Sequence, residues 1–130
     1  MGKNFLIDTN IAARFIANDL SEKGKVFLET MIADNKATIS VIIRIELLSW
    51  KVDKTKQRLI SLFLKNVEEF PIQEKVVEKT IEIRRNHKMK LPDAIIAATC
   101  LAHKLVLLTD NEADFNTIKG LKIINPTKDF

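Results

Sequence analysis

Residues 91–110 read Leu91-Pro92-Asp93-Ala94-Ile95-Ile96-Ala97-Ala98-Thr99-Cys100-Leu101-Ala102-His103-Lys104-Leu105-Val106-Leu107-Leu108-Thr109-Asp110. Pro92 suits the first turn of a helix, where its missing N–H costs nothing. The apolar run behind it predicts a helix to about His103, and Ala94, Ala97, Ala98 and Ala102 allow a neighbour to approach closely. Leu105 to Leu108 then has the composition of a strand buried on both faces. A helix leading into a doubly buried strand is the unit from which parallel sheets are assembled.

The same alternation extends in both directions. Upstream, Asn4 to Ile7 reads as a short buried strand, followed by a helix over 11–18. Ser21 is placed to cap a helix running to about Asp34. Ala37-Thr38-Ile39 is a second strand, and 41–52 a helix apolar on nearly every side, hence expected to be buried. Thr55 to Asn66 is amphipathic through Leu59, Ile60, Phe63 and Leu64, and Val67 to Phe70 is a third strand closed by Pro71. Gln73 to Lys88 carries Val76, Val77, Thr80, Ile81 and Arg84 at helical spacing. Leu121 to Ile124 is the last strand. No Asn-Gly or Asp-Gly hairpin turn occurs. The fold class is therefore α/β, with a central parallel sheet of 4–5 short strands flanked by helices in three layers.

Composition narrows the class further. The 130 residues, 46% hydrophobic and 29% charged, are expected to form one domain over 1–130. No apolar stretch approaches the roughly 18 residues of a membrane span. The N-terminus meets Asp8 too soon for a signal peptide, and Gly2 lacks the Ser or Thr at position 6 that myristoylation requires. Cys100 is the single cysteine, which excludes an internal disulfide and fits a cytoplasmic location. Only Gly2, Gly24 and Gly120 are glycines, so no phosphate-binding glycine loop can be built. The net charge is +4, and the surplus falls between Arg44 and Lys104, with 13 basic against 8 acidic residues. Such a surface permits a polyanionic partner without demanding one.

The acids fall where chemistry is expected. Ligands of open α/β sheets gather beyond the carboxyl ends of the strands. Asp8 follows the first strand directly, Asp110 follows Leu105 to Thr109, and Asp114 lies four residues on. Asp93 stands in the first turn of the alanine-rich helix, and Glu46 interrupts an apolar one. Each has an ordinary reading: a turn for Asp8, Asp110 and Asp114, a helix-dipole charge for Asp93, a solvated stripe with Ser49 and Asp53 for Glu46. Gathered together, two carboxylates about 4 Å apart repel by roughly 4 kcal/mol at an effective dielectric near 20. Protonation or a cation must relieve that, and an all-oxygen set suits Mg²⁺ or Mn²⁺ rather than zinc.

Four segments carry a family resemblance. They are Phe5-Leu6-Ile7-Asp8-Thr9-Asn10, then Ile39-Ser40 with Ile45-Glu46-Leu47-Leu48, then Leu91-Pro92-Asp93-Ala94-Ile95-Ile96-Ala97-Ala98-Thr99, then Leu107-Leu108-Thr109-Asp110-Asn111-Glu112-Ala113-Asp114-Phe115. In this order and spacing they resemble a PIN domain, and more narrowly a VapC-type toxin ribonuclease of bacterial toxin–antitoxin pairs. The resemblance implies that Asp8, Glu46 and Asp93 serve as metal-holding catalytic acids, with the fourth position at Asp110 or Asp114. It implies metal-dependent hydrolysis of RNA, homodimerisation and inhibition by a cognate antitoxin.

On that reading Thr9, Asn10, Thr109 and Asn111 orient carboxylates or waters, unless they serve only ordinary turns. Arg14, Arg44, Lys51, Lys54, Lys88 and Lys90 are candidates for phosphate contact. Trp50 and the seven Phe residues are expected mainly in the core, as is Cys100. His87 and His103 belong to no motif and are poor candidates for a general base; His103, near a helix C-terminus, is expected to make a favourable dipole contact there. Haloacid-dehalogenase chemistry is excluded because Asn10 stands where it needs a second Asp, and a receiver domain because Asp8 has no neighbouring acid. A PIN-type nuclease of RNA maturation and a non-catalytic RNA- or protein-binding module remain open.

Overall fold

The computed structural model describes residues 4–130; the reading of Gly2 lies outside them. Among the described residues five strands form one sheet: β1 (Phe5–Ile7), β2 (Ala37–Ser40), β3 (Glu68–Phe70), β4 (Val106–Leu108) and β5 (Ile123–Ile124). Every pairing is parallel, and the order across the sheet is β3-β2-β1-β4-β5. The expected α/β architecture is therefore present, with all five strands in one parallel sheet. Seven helices connect them: α1 (Thr9–Ile16), α2 (Glu22–Ala33), α3 (Val41–Ser49), α4 (Lys54–Asn66), α5 (Glu74–Asn86), α6 (Leu91–His103) and α7 (Glu112–Phe115).

The strand order positions the site. The chain steps outward from β1 to β2 to β3, then returns past β1 to β4. With the usual right-handed crossovers, the outward steps carry α1–α4 over one face and the return carries α5–α6 over the other. The order reverses between β1 and β4, and the crevice beyond their carboxyl ends is where open α/β sheets bind ligands. Ile7 pairs with Leu108 in register, so Asp8 and Thr109 leave the sheet side by side. Leu6, Ile7, Leu107 and Leu108 are fully buried, which fixes the floor under that crevice.

Local chemistry accounts for the helix ends. Ser21 caps α2 by accepting a hydrogen bond from the Gly24 amide at 3.1 Å. A Cβ at Gly24 would stand 2.6 Å from the Pro126 carbonyl oxygen, so glycine here lets the C-terminal segment lie against α2. Gly24→Ala is expected to destabilise the fold by about 1–3 kcal/mol, outweighing the roughly 1 kcal/mol that alanine gains in helix propensity. Urea denaturation checks this; a rise in stability would show that the close approach is absent.

Several expectations need correction. Helix α3 is not buried all round: only Ile43 and Leu47 are buried, while Ile45 and Leu48 are 52% and 55% exposed. The helix lies on an outer layer, so one i,i+4 stripe suffices to dock it. On α5 the buried stripe is Val76, Thr80 and Ile83, leaving Val77 and Ile81 exposed. Leu59 is likewise exposed on α4, where Ile60 and Phe63 do the packing. Asp114 belongs to the short helix α7 rather than a loop, because Phe115 anchors that turn in the core.

Trp50 and Phe130 are partly exposed rather than core residues. His103 stacks on Phe70 at 4.1 Å between ring centroids. It lies in the last turn of α6, where burial, with Lys75 adding, holds its pKa below the ordinary value. Cys100 is buried as expected. Among the described residues no helix is long and apolar enough to cross a membrane.

Candidate active site

The chain converges on a cavity of about 290 Å³ lined by Asp8, Glu46, Asp93 and Asp114, together with Thr9, Asn10, Trp50, Lys90, Pro92 and Asn111. Four elements supply the acids. Asp8 caps α1 from the end of β1, its Oδ1 accepting the Thr9 amide at 2.8 Å. Glu46 comes from α3, which starts where β2 ends. Asp93 lies in the first turn of α6, whose N-terminus reaches this edge because its C-terminus feeds the start of β4. Asp114 is on α7, directly after β4.

Hydrogen bonds join three of these carboxylates through their polar neighbours. Thr9 Oγ1 donates to Glu46 Oε1 at 2.6 Å, and Thr109 Oγ1 donates to Asp8 Oδ2 at 2.7 Å. The Asn111 amide donates to Thr109 Oγ1 at 3.0 Å, and Asn111 Nδ2 to Asp114 Oδ2 at 2.9 Å. A continuous line thus runs Glu46–Thr9–Asp8–Thr109–Asn111–Asp114. Asn10 is exposed at the cavity wall.

The remaining candidates lie elsewhere. Asp110 does not line the cavity; its Oδ2 accepts from Arg14 Nε at 3.0 Å. Arg14 also meets Asp19 at 3.3 Å, and Arg44 is engaged by Glu69 through both carboxylate oxygens. Of the two possible fourth acids, only Asp114 faces the cavity. Trp50 is the lining residue that sequence reasoning assigned to the core. Its position four residues after Glu46, one helical turn on, is the signal that could have placed it.

Electrostatics at the site are adverse. Burial pushes the Asp8 carboxyl up to about 6, and the charges of Asp93 and Glu46 add to it, against the hydrogen bonds from Thr109 and Thr9. Burial also raises Asp93, helped by Asp114 and Glu46 and opposed by Lys90. Among the described residues no three His, Cys, Asp or Glu side chains close on one point, as expected of like charges with nothing between them. The donor set nevertheless fits a hard divalent cation. It is all carboxylate oxygen, spread over four elements around one polar cavity, with neither Cys nor His in the lining.

A pH dependence follows. The folded chain holds a proton on Asp8 that the unfolded chain releases between about 3.8 and about 6. Without divalent ions, stability is therefore expected to fall as pH rises through that window, by on the order of 1–3 kcal/mol from this group. Urea denaturation with a chelator present, comparing the parent chain with Asp8→Asn, checks it. The variant should lack this component, and an identical pH profile would contradict the assignment.

Comparison with known proteins places this geometry. In solved structures the chain is similar to the VapBC2 complex from Rickettsia felis bound to a promoter DNA fragment, with 23% identity and TM-score 0.80, covering 93% of this chain and 97% of that one. It is similar to a toxin–antitoxin complex from Klebsiella pneumoniae, with 28% identity and TM-score 0.73, covering 95% and 98%. DNA-bound VapBC from Salmonella typhimurium gives 21% identity and TM-score 0.79, covering 94% and 97%. Among curated proteins none matches. The PIN domain family matches residues 5–121, which takes in β1 through α7, every acid of the cavity, and the order in which the sheet delivers them. The chain belongs to the PIN domain family.

Proposed function

We propose that this PIN domain is a divalent-metal-dependent endoribonuclease and the toxin of a toxin–antitoxin pair, working in the cytoplasm. The observation that carries the reading is the convergence of Asp8, Glu46, Asp93 and Asp114 on one polar cavity at the reversal point of the sheet. A structural or binding role gives no reason to tolerate carboxyls pushed upward by burial and mutual repulsion. A nuclease needs that concentration of negative charge.

Asp8, Glu46, Asp93 and Asp114 would hold Mg²⁺ or Mn²⁺. When bound, such an ion supplies a more acidic water and charge stabilisation for phosphodiester hydrolysis. The chain's own residues do the positioning. Thr109 and the Thr9 amide fix both oxygens of Asp8, Thr9 Oγ1 orients Glu46, and Asn111 orients Asp114. This preorganisation leaves the carboxylates little freedom to turn when a phosphate arrives. Lys90, also at the cavity wall, offers a charge to a neighbouring phosphate. Arg14 and Arg44 are tied to acids and are weaker candidates for that contact.

Similarity to the Klebsiella pneumoniae toxin–antitoxin complex supports an antitoxin partner. Ile45, Leu48, Leu59 and Leu62, all exposed on α3 and α4, provide apolar area for contacts with an antitoxin and for a homodimer.

Purified protein should cut RNA with Mg²⁺ or Mn²⁺ and stop with a chelator. Asp114→Asn is expected to lower cleavage by more than about tenfold, in the range seen when a group supporting a metal site is lost. Asp110→Asn should have a smaller effect, because Asp110 faces Arg14. The reverse ranking would reassign the fourth acid. Expression of the chain alone should arrest growth, and the product of a small neighbouring gene should relieve it. RNA cleavage without growth arrest would favour a role in RNA maturation.

A further inference from the structure

Trp50 is the only tryptophan in a chain without tyrosine, and 39% of it is exposed. A residue whose burial is strongly favourable is thus held half-open on the wall of a charged cavity. Trp50 directly follows α3, which ends at Ser49, and is extended, with ψ 137°; it lines the cavity with Glu46, one helical turn before it. One side of the indole borders a separate cavity of about 230 Å³, lined with Leu47, Leu48, Val52 and Ile60 among others. The Trp50 side chain thus borders open space on both cavities.

A second feature adjoins the acidic cavity. Lys90 lines it and also lines a shallow recess formed with Arg84, His87, Lys88 and Met89. The acidic cavity is thus bordered by Trp50, just after α3, and by Lys90, from which a recess with Lys88 and Arg84 continues along the joining segment to the end of α5.

We propose that an unpaired nucleobase next to the cleaved phosphate stacks on the Trp50 indole, while Lys90, Lys88 and Arg84 hold phosphates of the same strand; this rests on the nuclease reading of the cavity. Every base has a π-face, so stacking tolerates sequence, and cations along the backbone supply affinity that salt weakens. Selection then acts on pairing state. A base inside a duplex is already stacked on its neighbours and must be pulled out, at a cost, to reach the indole.

The single tryptophan makes the test direct, because indole emission reports on Trp50 alone. A short single-stranded oligoribonucleotide of mixed sequence is titrated with Mg²⁺ into the Asp93→Asn variant, which keeps the strand intact. Quenching of the emission is expected, with none from an abasic strand of equal length or from the paired duplex. In the otherwise unaltered chain, Trp50→Ala should raise KM for cleavage at least about fivefold with a smaller change in kcat, and Trp50→Phe should recover most of the loss. Thermal melting of each variant checks folding. Lys90→Gln should flatten the dependence of binding on salt.

Emission indifferent to RNA, or equal quenching by the abasic strand, overturns stacking. So does an unchanged KM in Trp50→Ala. If the parent chain cuts RNA while these signals are absent, the nuclease reading stands and only the stacking proposal falls. Quenching by RNA from a parent chain that cuts none would leave the stacking contact and remove the nuclease.

Discussion

Asp8→Asn is expected to lower RNA cleavage by on the order of 10²–10³ while leaving the chain at least as stable as the parent when no divalent ion is present. The two effects have one cause. Asp8 is 5% exposed, and its charged form is disfavoured by burial and by its acidic neighbours. Asparagine removes the charge but keeps the shape. Its Oδ1 still caps α1, since Asn and Asp are comparable N-caps, and Thr109 can turn its hydroxyl to accept from the new amide. A variant that loses activity through misfolding would lose stability too. Opposite movement of cleavage rate and urea midpoint is therefore the signature of a group placed for chemistry. Full activity in the variant would remove Asp8 from the site.

Leu107→Ala is expected to cost about 2–5 kcal/mol, a large part of the roughly 5–15 kcal/mol that holds a domain together. Leu107 is fully buried on β4, paired in register with Leu6 on β1 and Ile123 on β5. The floor beneath the crevice has no flexible neighbour to fill the space, because sheet residues on both sides are fixed by pairing. Cleavage per folded molecule should stay close to that of the parent, since the carboxylates hang from strand ends and helices rather than from this side chain. Chemical denaturation and active-site titration separate the two quantities. A loss below about 1 kcal/mol would contradict the packing described.

Part of the candidate cavity was legible because its signals are local. Asp8 ends an apolar triplet, Glu46 breaks an apolar helix, and Asp93 follows Pro92 at a helix start. Each irregularity is visible within a few residues, and the rule that strand ends carry function links them. The choice between Asp110 and Asp114 depends instead on Arg14, 96 residues away from Asp110, and no local pattern reveals that pair. His103 depends in the same way on Phe70.

The faces of helices were harder to read. Val76 and Val77, like Thr80 and Ile81, are adjacent in sequence, so two apolar stripes overlap on α5 and only docking against α6 selects the first. On α3 the same ambiguity concealed both the exposed Ile45 and Leu48 and the turn that brings Trp50 to the cavity. Alternation of strands and helices specified a parallel sheet, but the order β3-β2-β1-β4-β5, which creates the crevice, resides in long-range pairing.

Calorimetric titration of Mn²⁺ into the metal-free protein tests the central claim most directly. The parent chain should bind the ion saturably, with a rise in melting temperature. Binding should weaken strongly in Asp8→Asn and in Asp93→Asn, although both fold. No saturable binding by the parent, or equal binding by both variants, would contradict the account.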